Sequence, residues 1–141
     1  MIGILVSDTA FSESNLRVFD LLNDNSKTLV DAVLLYMNLS SQMMVADFPI
    51  MNITEIHSFY GGKLIATCLD TADLLQKAAI GARKMFYLWD LSFILKPYDF
   101  QSMYKLLSGL ELVVRSEPHR KIIKNLFNLD ATIVPYLNLE T

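Results

Sequence analysis

Short, almost wholly apolar runs alternate along this chain with stretches in which apolar residues recur every three or four positions. The first kind reads as strand and the second as amphipathic helix. The clearest unit lies at 63–92. Its run at 64–69 ends in Asp70-Thr71, either of which can cap the helix that follows. Leu74, Leu75, Ala78 and Ala79 give that helix its buried stripe, and Gly81 stands where a helix stop is expected. A second run, 85–89, then ends at Asp90. Neither run shows a clean polar alternation, as befits central strands covered on both faces. Strand, helix, strand is the parallel crossover unit.

The same alternation extends in both directions. Residues 1–6 predict a first strand, and Ser12 or Ser14 caps a helix carrying Leu16, Val18, Phe19, Leu21 and Leu22. Residues 29–37 predict a second strand. Residues 43–48 predict a third, which Pro49 confines to the edge because proline cannot donate to a ladder. Residues 52–62 are the least regular stretch. Beyond 92 come a connector at 93–97 and a helix carrying Phe100, Met103, Tyr104 and Leu107, with Asp99 before it and Gly109 after it. A strand at 110–114 follows, then a helix capped by Ser116 or Glu117 with Pro118 in its first turn, a last strand at 131–136 and a loose tail. The expected fold is a single α/β domain over 1–141: a three-layer α/β/α sandwich around a mostly parallel, Rossmann-like sheet.

Composition narrows the class. Of 141 residues, 52% are hydrophobic and only 19% charged, which excludes a disordered or heavily solvated chain. No apolar stretch free of charge is long enough to cross a membrane, so none is expected to do so. The N-terminus reads as a strand rather than a leader, and with one cysteine in the chain the expected compartment is the cytoplasm. Cys68 is expected as a buried, inert thiol in a strand. With neither a metal-ligand cluster nor a glycine-rich phosphate loop in the sequence, no cofactor and no metal are expected. The net charge of −3, with scattered lysines and arginines, weighs against nucleic acid as a partner.

Strand-end turns concentrate the candidate chemistry, because open parallel sheets bind ligands at their carboxyl edge. Ser7, Asp8 and Thr9 end the first strand and either bind a polar ligand or serve the turn itself. His57, Tyr60, Gly61 and Gly62 lie in the irregular loop, where His57 is either a surface residue or a site residue. Arg115, His119, Arg120, Lys121 and Lys124 gather around the last helix, as a solvated face or as an anion site on its first turn. Tyr87 and Trp89 belong to the core or stack on a sugar or base.

Two motifs carry a family resemblance. "FYLWDLSF" at a strand end and "LELVVRSEPHRKIIKNLFN" across the next strand and helix resemble the N-terminal domain of GT-B glycosyltransferases, closest to the phage type that includes DNA α-glucosyltransferases. The resemblance spans about 63–138, more weakly the first strand. It implies a phage-derived domain of the acceptor side, with a second domain holding the nucleotide-sugar. It places Asp90 after a central strand as base or acceptor-orienting residue, and Ser116 and His119, in an R-S-x-x-H turn, along the same cleft. Tyr60, Gly61 and Gly62 have no counterpart in it. The chain ends where the second domain of such enzymes begins and lacks their glycine-containing loop after the first strand. The expectation is therefore a catalytically incomplete module with a sugar or nucleotide-sugar ligand. From chemistry alone, Asp90 either deprotonates a hydroxyl, when desolvation raises its pKa, or caps the turn after its strand.

Two other classes remain open. One is a flavodoxin-like module binding a nucleotide or other small anion at the strand ends. The other is a non-catalytic protein that pairs with a partner chain or a second copy of itself through the apolar edge near 43–51.

Overall fold

A computed structural model describes residues 1–25, 31–40, 44–59 and 61–136. Seven strands form one sheet: β1 (Ile2–Asp8), β2 (Ala32–Asn38), β3 (Ile50–Asn52), β4 (Lys63–Ala66), β5 (Arg83–Leu88), β6 (Glu111–Val114) and β7 (Thr132–Ile133). Every pairing is parallel, in the order β3-β2-β1-β4-β5-β6-β7. Among the described residues four α-helices flank the sheet: α1 (Glu13–Asn25), α2 (Leu69–Lys77), α3 (Phe100–Ser108) and α4 (Glu117–Phe127). The chain moves one way along the sheet after β1 and the other way after β4. The carboxyl ends of β1 and β4 therefore flank the switch point of a Rossmann-like sheet.

Alternate strand residues supply two separate cores. Leu5, Val33, Leu35, Leu64, Ala66, Phe86, Leu88, Leu112 and Val114 face α2, α3 and α4, with Leu75, Leu107, Ile123 and Phe127 packed on them. Ile4, Val6, Leu34, Ile65, Met85, Tyr87 and Val113 face the other way, against Val18, Phe19 and Leu22 of α1. Apolar side chains on both faces explain why the runs show no polar alternation. The layers are unequal: among the described residues α1 is the one α-helix on its face, joined there by Met44, Ala46 and Phe48.

Several expectations shift by a few residues. No described residue of 44–48 is in a strand, and residue 43 lies outside the described residues; the edge strand is β3, after Pro49. Pro49 uses the group it has, its carbonyl accepting from Leu34 N at 3.0 Å. Residues 29 and 30, Tyr60 and the tail from 137 also lie outside the described residues. The irregular loop contains a 3₁₀ turn, Ile53–Ser58, capped by the Asn52 carboxamide oxygen, which accepts from Thr54 N at 3.0 Å. Cys68 is not inside a strand. It is the half-buried N-cap of α2, its Sγ 3.3 Å from the Thr71 hydroxyl, so the buried strand thiol is corrected to a half-buried one on the sheet's carboxyl rim. Neither Asp70 nor Thr71 caps that helix; Thr71 stands at its third position and accepts from Cys68 N at 3.2 Å. The last strand shrinks to two exposed residues. Among the described residues no helix is long and apolar enough to cross a membrane.

Candidate functional site

The carboxyl ends of β1, β4 and β5 open into two adjoining chambers that share Ser14, Thr67 and Trp89. Thr67 forms the ridge between the strands, its hydroxyl donating to the Leu5 carbonyl at 2.7 Å across the switch point. The rim-side chamber, about 330 Å³, is lined by polar groups from successive strand ends: Ser7, Thr67, Cys68, Asp70, Asp90 and Ser92. The α1-side chamber, about 300 Å³, runs along the helix past Ser14, Arg17, Leu21 and Asp24, and is walled by Tyr87, Trp89 and Tyr136. Both volumes fall at the lower end of the range for small-ligand cavities, roughly 300–1,000 Å³.

Of Ser7, Asp8, Asp90, Ser116 and His119, the structure brings two together. Ser7 and Asp90 line the rim-side chamber. Asp90 is exposed, and its Oδ1 accepts from Ser92 N at 3.0 Å, so one carboxylate oxygen holds the turn while the group still borders the chamber. Asp8 serves its own turn: Oδ1 accepts from Ala10 N at 3.0 Å and from Asn15 Nδ2 at 3.3 Å. Asn15 Nδ2 also donates to the Ala10 carbonyl at 2.9 Å, which fixes the entry to α1. Ser116 is the N-cap residue of α4, without a side-chain cap bond, and His119 lies one turn on. Both are half-buried, the His119 Nδ1 is sealed without a partner, and neither residue lines either chamber.

The basic group near α4 divides. Arg120 pairs with Glu117, and Lys124 meets Asp130 at 3.1 Å, so these two belong to a solvated face. Arg115 turns elsewhere. Its guanidinium carbon lies 4.8 Å from the centre of the Trp89 ring, and that of Arg17, from α1, lies 4.6 Å from the same centre. Beneath them Tyr87 is 3% exposed, and its hydroxyl is sealed with no hydrogen-bond partner. Burial pushes the phenol pKa up, and the charges of Arg115 and Arg17 pull it partly back, so the hydroxyl stays a neutral donor at physiological pH. Among the residues that sequence reasoning missed is Arg17. It sits in an ordinary helical stretch, and only the fold sets it against a strand end seventy residues away.

Among the described residues no three His, Cys, Asp or Glu side chains gather as a metal site. Set beside known proteins, the chain matches no family model, no curated protein and no solved structure.

Proposed function

We propose that this domain binds a small hydroxyl-bearing ligand, of the sugar or nucleotide-sugar class, at the carboxyl edge of its sheet. One observation carries the reading. Ser7 and Asp90, from the ends of β1 and β5, line a single chamber beside the switch point together with Thr67, Asp70 and Trp89. Carboxylates accept hydrogen bonds from sugar hydroxyls, and an indole offers a face to the apolar side of a sugar ring. In this reading Asp90 orients an acceptor hydroxyl, the role that the resemblance to acceptor-side glycosyltransferase domains gives it.

The test is a thermal-shift and ligand-observed NMR series with neutral mono- and disaccharides and with sugar nucleotides. Saturable binding by the wild type, weakened by D90A and by S7A in proteins of unchanged melting temperature, is the expected result. Equal binding by both variants, or no binding at millimolar ligand, would overturn it.

A further inference from the structure

We infer that the α1-side chamber is an oxyanion subsite, taking the phosphoryl group of a phosphorylated sugar or nucleoside between Arg17 and the Tyr87 hydroxyl, with Arg115 reaching it from the Trp89 ring at the chamber wall. The inference rests on reading the carboxyl edge as the ligand site, but on different residues from those around Asp90.

The unpartnered hydroxyl is the starting point. A buried donor left unsatisfied is unfavourable by an amount comparable to a lost hydrogen bond, and native structures hold few of them. Tyr87 is such a group: the residue lines the chamber while its hydroxyl is sealed from solvent, so the guanidiniums on Trp89 must shift as the oxyanion enters. The charged neighbours of the phenol cannot complete it, because guanidinium groups only donate. What completes a phenol and two guanidiniums together is an acceptor with negative charge.

The arginines are available for such a group. Among the described residues Arg17 has one carboxylate within ion-pair distance, Glu13, at 4.0 Å and well exposed. Arg115 does not itself line the chamber; among the described residues it has no carboxylate within ion-pair distance, and it stacks on the Trp89 ring, which does line it. A cation held on the face of a partly exposed ring can move to an oxyanion with little loss, since such stacking is weak beside a charge-assisted hydrogen bond. A guanidinium fork matches phosphoryl oxygens two at a time. The rest of the chamber fits the body of such a ligand. Trp89 and Tyr136 offer ring faces, and Asp20 and Asp24, farther along α1, offer acceptors for hydroxyl or amino groups.

Trp89 is the chain's single tryptophan, so the protein carries its own probe. Its emission is to be followed during titration with inorganic phosphate, a nucleoside monophosphate and a hexose monophosphate. The neutral nucleoside and hexose serve as controls at matched ionic strength. A saturable change with the phosphorylated compounds is expected, larger in affinity for one organic phosphate than for inorganic phosphate. R17A and R115Q should each weaken binding about tenfold or more, and Y87F several-fold without lowering the melting temperature. No saturable response to any of the three phosphates, or wild-type affinity in both arginine variants, overturns the inference. If neutral sugars still bind in a D90A-sensitive way under those conditions, the reading of the rim-side chamber survives alone. If neither class binds, both fall.

Discussion

Trp89 and Arg115 are the first residues beyond a paired rung of the sheet. Leu88 of β5 stands opposite Val114 of β6, so the indole and the guanidinium leave adjacent parallel strands side by side and meet at 4.8 Å. The position is a property of register, and a register slip of one residue would separate them. Replacing Arg115 with alanine should therefore cost little stability, about 0.5–1 kcal/mol. It should also alter the environment of the only tryptophan. Emission spectra of R115A and wild type, with chemical denaturation beside them, check both halves. A large loss of stability with unchanged emission would mean that Arg115 has a packing role instead.

Tyr87→Phe removes a sealed hydroxyl that makes no bond and keeps the ring that fills the core. The ligand-free protein should gain about 1 kcal/mol, seen as a rise of a few degrees in melting temperature. The pH dependence follows from the same group. Burial holds the folded phenol above its ordinary value of 10.0. Between that value and the raised one, the unfolded chain loses the proton and the folded chain keeps it, so stability declines as pH rises through this window. Y87F should flatten the decline. A variant less stable than wild type at neutral pH would show that the hydroxyl has a partner after all.

The sequence made the sheet legible because burial on both faces writes itself as unbroken apolar runs. Parallel pairing then places every strand end at one edge, which is why Ser7 and Asp90 were within reach of sequence reasoning as site residues. The α3 and α4 boundaries were equally readable, since Asp99, Gly109, Ser116 and Pro118 mark them by local chemistry. Pro49 misled because its missing donor argues against a strand through it, yet its carbonyl joins the ladder one residue before β3. Cys68 misled because the strand stops at Ala66, where the Thr67 and Thr71 hydroxyls take over the backbone. Tyr87, Trp89 and Arg115 stand out in the sequence as stacking or anion-site candidates, but nothing there joins them to Arg17 and Tyr136 around one chamber. Arg17, Tyr87, Arg115 and Tyr136 lie far apart along the chain, and the lack of a partner on Tyr87 exists only in three dimensions.

Adjacent glycines offer a controlled comparison. Gly61 and Gly62 both adopt left-handed backbone, with φ of +73° and +71°. A Cβ on Gly61 meets nothing within 4 Å, whereas one on Gly62 would lie 2.2 Å from the Met1 carbonyl oxygen. That oxygen accepts from Lys63 N at 3.3 Å, where β1 and β4 begin to pair. G61A should lose about 1–2 kcal/mol, the usual left-handed penalty for a side chain. G62A should lose clearly more, because backbone must move at the centre of the sheet. Denaturant unfolding of the two variants measures the difference, and equal losses would contradict the close approach to Met1.

At the opposite, amino edge of the sheet, Arg83 and Glu111 form a bidentate pair that ties the start of β5 to the start of β6, with the Nη2–Oε1 bond at 2.9 Å. The hydrogen bond from Arg83 holds the Glu111 carboxyl below its ordinary value of 4.5. A lowered folded value means that the pair's contribution is present above pH 4.5 and is lost as pH falls through the folded value. Both side chains are about half exposed, at 53% and 49%, so water and salt screen the pair and its contribution is small. E111Q should melt slightly below wild type at pH 7 in low salt. The gap should close as pH drops below 4.5, and again near 1 M salt at neutral pH. A gap that persists in acid or in high salt would assign the effect to strand pairing at the Glu111 backbone rather than to the ion pair.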